Sequence, residues 1–490
     1  MDDLLARALN IAQLKGATYA DARLVETAEQ TIVVRNGAVQ GISQTEDTGF
    51  GVRVIADGAW GFASSFRLEP DEAERVADLA VQIARASALT KTEDVDIGPP
   101  VVQRGTYRTP FEVDPFSVPV ERKVDVLLRA DAGMRGVAGV RTTEASMVFV
   151  RQRKIFASTE GSLIEQEIVE SGCGIQATAV GDGEVQRRSY PNSVGRHQQT
   201  RGWEFVEEWD LPGNAERIAE EAVALLFADP CPEGVTTVIL SGNQVALQIH
   251  ESCGHAIELD RVFGNEAAFA GTSFLTPDKL GTFRYGSEFV NITADATLPG
   301  GLGTFGWDDE GVPAQRTDIV KEGRFVGYLT DRESARRLAR TVGRSDLATG
   351  RSNGTSRASG WNRIPMIRMT NVNLLAGTWR LEDLIADTDE GILMDTNRSW
   401  SIDDRRLNFQ FGCEIAWEIK GGRRTRMLRN PIYTGMTPQF WSSCDAVCNA
   451  DHWVLWGTPN CGKGEPMQVG HTGHGAAPAR FRNVRVFGKR

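Results

Sequence analysis

The run Gln248-Ile249-His250-Glu251-Ser252-Cys253-Gly254-His255-Ala256-Ile257-Glu258 restricts the fold more than any other feature of this sequence. The familiar zinc-binding helix carries its two histidines at i and i+4, on one face. Here His250 and His255 stand at i and i+5, which on a regular α-helix separates them by about 140°. Both imidazoles reach one metal only if the helix ends or bulges between them. Gly254 stands where that must happen, and glycine tolerates irregular backbone at little steric cost. The alternative is a capped helix with two surface histidines and a glutamate.

The residue types suit metal chemistry. Neutral imidazoles bind zinc and leave its charge largely unquenched. A carboxylate beside the first histidine, Glu251, is placed to take a proton from water activated at such a metal. Two protein ligands are too few, and a third must come from elsewhere. Three candidates lie near the C-terminus. Cys461 sits among turn-forming residues in Gly457-Thr458-Pro459-Asn460-Cys461-Gly462-Lys463-Gly464, and His471 and His474 follow in Gly470-His471-Thr472-Gly473-His474-Gly475. A rival set, Cys444, Cys448 and His452, has i, i+4, i+8 spacing, one face if helical, but it is not a standard zinc spacing. Small cysteines on an apolar helix face are the plainer account of it. Cys253 points away from the two histidines and reads as structural.

Upstream, Val235 to Leu240 reads as a strand running into Ser241-Gly242-Asn243-Gln244, a capping-box signature that starts the motif helix. The rest of the chain divides by texture. Residues 1–98 read α-β-β-α. Leu4, Leu5, Ala8, Leu9 and Ala12 recur at helical spacing, Asn36-Gly37 and Asp57-Gly58 are hairpin turns, and Pro70 opens a helix with Val76, Leu79, Ala80 and Ile83 on one face. Residues 99–228 form a second α+β region, with a helix around Val124, Leu127 and Leu128, strand-like runs between about 140 and 190, and a helix at 214–227. Residues 229–490 are rich in Gly, Trp and short strands. The expected class is α+β: N-terminal helices on small antiparallel sheets, then a mainly antiparallel, barrel-like C-terminal domain that carries the motif helix.

The net charge of −11 argues against nucleic acid as a main partner and against a polybasic membrane anchor. No apolar stretch approaches the roughly 18 residues of a membrane span, and the acidic N-terminus lacks the pattern of a signal peptide. Seven sparse cysteines read as reduced thiols. The expected location is the cytoplasm.

Three stretches together resemble the TldD family of the TldD/PmbA metallopeptidases: His250 to His255; Asp308-Asp309-Glu310-Gly311-Val312-Pro313-Ala314-Gln315-Arg316-Thr317 with Gly327-Tyr328-Leu329; and Pro365-Met366-Ile367-Arg368-Met369-Thr370-Asn371 with Pro459 to Gly464. The order and spacing hold from about residue 5 to 488. The resemblance implies a zinc ion held by His250, His255 and Cys461, with Glu251 as catalytic base. It also implies a PmbA-type (TldE) partner subunit, with a homodimer as the alternative, and an enclosed cavity that admits unfolded peptides. A chain that keeps the motif looks like the catalytic member. His474, Arg368 and Asn371 are the expected substrate contacts, and Asp308, Asp309 and Glu310 either line the site or form an acidic turn. Hydrolysis of a non-peptide amide, or peptide binding around a structural metal with His474 as fourth ligand, are the competing functions. A thiolate ligand weakens the metal as a Lewis acid, which points to a slow or selective enzyme.

Overall fold

The computed structural model describes residues 2–181, 183–193 and 197–488. Residue 182, inside the strand-like run expected to about 190, lies outside them. The fold is α+β with mostly antiparallel sheets.

The strand Tyr19–Arg35 turns at Asn36-Gly37 into Ala38–Ala56, which turns at Asp57-Gly58 into Ala59–Ser65. All four turn residues have positive φ, between 49° and 82°. That is the primed geometry whose twist matches the flanking strands. The helices Asp2–Leu14 and Pro70–Ala88 cover one face, burying Leu4, Leu5, Ala8, Leu9 and Ala12 as expected. The second helix is rotated from its expected face. Ala73, Val76, Ala77, Ala80, Val81 and Ala84 are buried, while Leu79 and Ile83 are each 37% exposed. The reason is a close approach. A Cβ on Gly61 of the sheet would lie 2.1 Å from the Ala80 carbonyl oxygen, so small residues face the sheet and longer ones sit at the edge.

The strands Val140–Ser158 and Leu163–Gly181 form a second long hairpin. Val140–Ser158 pairs with Tyr19–Arg35 over its length, so both N-terminal regions contribute to one eight-stranded sheet. The helices Val120–Arg135 and Leu211–Phe227 pack over this half.

In the C-terminal region five strands close on themselves. Glu390–Ile402 pairs with Gly234–Leu240, then Ala479–Gly488, Pro431–Met436 and Asn408–Lys420 follow, and the last pairs back to the first. Closure leaves no open edge in the ring. The chain leaves Leu240 directly into the helix Gly242–Ile249. This helix is anchored by Tyr433, whose hydroxyl accepts from Gln244 Nε2 and donates to Gln248 Oε1, each at 3.0 Å. The expected capping box does not form. Ser241 makes no side-chain cap bond and its hydroxyl turns to Asn243. The helix start is buried, so Gln244 takes a partner from the barrel wall. Among the described residues no helix is long and apolar enough to cross a membrane.

Candidate metal centre

After Ile249 the helix widens. His250–Gly254 is a π-turn and His255–Ile257 is 3-10. The His255 N–H donates to the His250 carbonyl, an i→i+5 bond. One extra residue per turn stacks positions five apart, and the two imidazole rings come to 4.8 Å between centroids. The bulge required by the spacing is therefore present. Gly254 itself has ordinary helical backbone, φ −52° and ψ −54°. Its absent side chain answers to space instead: a Cβ there would lie 2.1 Å from Met369 Sδ.

Cys461 is in the strand Val454–Lys463, not in an open loop. That strand pairs with Gln468–Ala476, and the register shifts between Thr458 and Cys461. Such a shift re-aims a side chain, and the Cys461 Sγ comes 3.6 Å from His255 Nε2. The donor atoms of His250, His255 and Cys461 all lie within 4.8 Å of one another, and all three residues are buried. Tetrahedral zinc with ordinary Zn–N and Zn–S lengths requires an N···S separation of about 3.6 Å. The donor set and its spacing fit zinc.

Both histidines are held from behind. His474 Nδ1 lies 3.1 Å from the Val372 carbonyl, so it carries the proton and its Nε2 is an acceptor. That Nε2 is 2.7 Å from His250 Nδ1, which donates to it and leaves His250 Nε2 bare. His255 Nδ1 lies 2.9 Å from Glu258 Oε2, which fixes the same tautomer. Such partners orient metal-binding imidazoles and raise their basicity. Burial lowers the pKa of His250, His255 and His474, so all three favour the neutral form. Burial opposes ionisation of the Cys461 thiol, but His255 and Arg368 prevail and bring it below its usual value. Glu258 is fully buried, and burial alone would raise it. Lys463, His255 and Arg261 instead hold it well below the usual carboxylate range.

Glu251 is 6% exposed, and its Oε2 lies 3.2 Å from Arg406 Nη1. Arg406 occupies left-handed backbone, φ 63°, an uncommon conformation for an arginine.

The other expected site residues fall in different places. His474 is behind His250, with both ring nitrogens engaged. Asn371 is fully buried, and its amide bonds the Asp295 carbonyl, Thr304 and the Gly303 N–H. Arg368 is 2% exposed, and its guanidinium reaches the Cys461 carbonyl. His471 pairs with Glu170 at 2.7 Å, apart from the cluster. Asp308 accepts from the Glu310, Val312 and Ser356 N–H groups and braces a turn. Asp309 pairs with Lys154 at 2.6 Å, and Glu310 with Arg53 at 3.2 Å.

Cys444, Cys448 and His452 do not form a helix face. Cys444 is in a strand, His452 ends a 3-10 turn and accepts from the Leu381 N–H, and burial pushes both thiols up to about 12. Among the described residues only His250, His255 and Cys461 converge as a set of three potential ligands. Cys253 is buried, with its thiol pushed up to about 12, as a structural cysteine should be.

Reasoning from the sequence missed Glu258, Lys463, Arg406 and Met369. Glu258 had a usable signal, since i+3 from His255 puts it within reach. Arg406 had none.

Comparison with known proteins agrees with this geometry. Residues 20–84 match PmbA/TldA metallopeptidase domain 1, residues 113–226 the central domain, and residues 233–488 the C-terminal domain. A metalloprotease of Methanocaldococcus jannaschii is 31% identical, covering 94% of this chain and 96% of its own. A zinc metalloprotease TldD homolog of Saccharolobus solfataricus is 21% identical, covering 87% and 88%. The crystal structure of TldE from Thermococcus kodakarensis superposes with a TM-score of 0.72 at 16% identity, over 99% of this chain and 100% of that one. At that identity the likeness concerns fold alone. With all three domains matched in order, and the C-terminal one carrying the converging His250, His255 and Cys461, the chain belongs to the PmbA/TldD metallopeptidase family.

Proposed function

We propose that this chain is a zinc peptidase acting on unfolded peptides or small protein substrates in an enclosed cavity, with His250, His255 and Cys461 as metal ligands and Glu251 as general base. The observation that carries the reading is the 3.6 Å between His255 Nε2 and Cys461 Sγ, a separation that suits zinc. When bound, zinc supplies Lewis acidity and the activation of water. Glu251, adjacent to His250 in the chain, accepts the proton that the water loses and returns it to the departing amine. Arg406 holds that carboxylate in one orientation. His474 and Glu258 keep His250 and His255 in the ligating tautomer, so His474 serves the ligand and not the peptide. The peptide lies extended and is read mainly through its backbone, with Arg368 among its contacts.

Binding without cleavage, around a four-ligand metal, needs His474 as the fourth donor. The 2.7 Å bond from His250 Nδ1 to His474 Nε2 disfavours it. Non-peptide amides would use the same machinery and are separated by substrate profiling. The cytoplasm is the proposed location. A TldE-type subunit is the proposed partner, and self-pairing is the alternative that mass measurement in solution separates.

The test is metal content and cleavage together. Purified chain should hold one zinc, and Cys461→Ser should lose or weaken it. Glu251→Gln should keep zinc and fold while cleavage of an unfolded peptide pool falls at least 100-fold, the usual scale for a lost general base. Full cleavage by Glu251→Gln, or unchanged zinc in Cys461→Ser, overturns the reading.

A further inference from the structure

A cavity of about 110 Å³ lies between the N-terminal sheet and the C-terminal domain, beside the strand that carries Cys461. Its charged lining is uneven. Lys154 is matched by Asp309, and His471 by Glu170. Arg357 and Arg368 also line it, and neither has a carboxylate partner. Among the described residues no carboxylate oxygen lies within 4.0 Å of either guanidinium. Their hydrogen bonds go to backbone carbonyls, those of Met369 and His471 for Arg357 and those of Cys461 and Gln468 for Arg368. The Arg357 guanidinium also lies 5.3 Å from the centre of the Phe305 ring. The Nε of each is buried with no partner at all.

Buried guanidiniums are ordinarily paired, because removing such a charge from water is costly unless an opposite charge or several acceptors compensate. Arg368 is buried and Arg357 half-buried on one cavity wall. Asp309, Glu170 and the Cys461 thiol act on them only from beyond ion-pair contact, so a contact position for an anion stays open. Arg368 ties this wall to the backbone of Cys461. The rest of the wall is partly apolar, with Ile168, Leu302 and Phe305. Positive charge beside a small apolar recess suits a carboxylate attached to a short hydrocarbon group.

We propose that this cavity is a carboxylate subsite that receives the C-terminal carboxylate of a peptide, held by Arg357 and Arg368. Planar guanidinium matches planar carboxylate in a two-point contact that an amide does not reproduce. As a preference for free peptide ends, the proposal rests on the peptidase reading above. As a binding site, it stands apart from catalysis.

The experiment uses matched unstructured decapeptides, each as free acid and as C-terminal amide. Retention on immobilised, zinc-loaded full-length Glu251→Gln protein is measured by mass spectrometry. Free acids should be retained at least tenfold better than their amides. Arg357→Gln should remove that difference and Arg357→Lys should restore part of it, with zinc content confirming the fold of each variant. Equal retention of both forms, preference for amides, or no retention of either overturns the subsite. Wild-type cleavage separates the two readings. Amides cleaved as fast as acids sink the subsite and leave the peptidase, whereas acid-selective retention without cleavage sinks the peptidase and leaves the subsite.

Discussion

His250 and His474, 224 positions apart, meet through a 2.7 Å bond between Nδ1 and Nε2. The proton order runs from His474 Nδ1–H to the Val372 carbonyl and from His250 Nδ1–H to His474. It leaves His250 with one bare nitrogen, Nε2. His474→Phe keeps the ring volume and removes the acceptor. Zinc affinity should fall about 10- to 100-fold, the usual effect of losing a partner behind a ligand. Competition with a chelator measures it, and an unchanged affinity rejects the orienting role.

The same centre depends on the narrow gap at Gly254. Gly254→Ala puts a methyl group into Met369 Sδ, 2.1 Å from where the Cβ must sit. Overpacking of this kind costs about 1–3 kcal/mol, and relief by movement of the π-turn displaces His255. Urea unfolding should show the loss, and zinc content should drop with it. Adding Met369→Ala opens the space and should recover zinc binding. A double variant no better than the single one counts against the steric account.

Arg406 pairs with Glu251 from left-handed backbone. Arg406→Gly relaxes the backbone, since glycine adopts positive φ freely, but it frees the Glu251 carboxylate. Stability should hold or rise slightly while turnover falls at least tenfold, with zinc retained. Loss of fold in Arg406→Gly would show that the arginine matters for structure before chemistry.

His197 is buried against Trp209, Trp456 and Phe205, with ring centroids at 4.6, 4.9 and 5.2 Å. Burial, with a smaller push from Arg201, lowers its pKa to about 3. The unfolded chain binds a proton below about pH 6.5, and the folded chain does not until near 3. Stability from this group is therefore full above pH 6.5 and is lost as pH falls, by up to about 1.4 kcal/mol per pH unit. In metal-free protein His250, His255 and His474 act in the same direction. His471 acts in the opposite one. Burial opposes its charge, but Glu170 raises its pKa, so its contribution is present below pH 6.5 and fades above. His197→Phe should flatten the slope of urea midpoint against pH between 7 and 5. An identical slope rejects the assignment.

Features that depend on chain neighbours were legible in the sequence. Asn36-Gly37 and Asp57-Gly58 turn where their dihedral preferences say, and Pro70 starts a helix. The i, i+5 spacing of His250 and His255 demanded the bulge that the π-turn provides. The choice of Cys461 came from resemblance, since its spacing from His255 says nothing about proximity. The expected apolar face of Pro70–Ala88 held for Val76 and Ala80 but not for Leu79 and Ile83, because Gly61, on another element, sets how close the helix can lie.

The sequence by itself determined the chemistry available at this centre: two imidazoles, an adjacent carboxylate, and a helix that had to widen to use them. Tertiary structure alone decided which side chain converges on the two histidines, which tautomer each histidine holds, and which arginines lack a carboxylate partner. Those outcomes depend on strand register, on the shift between Thr458 and Cys461, and on the desolvation of groups far apart in the chain. Such long-range pairings are selected by the packing of the whole core, which no local window of residues encodes.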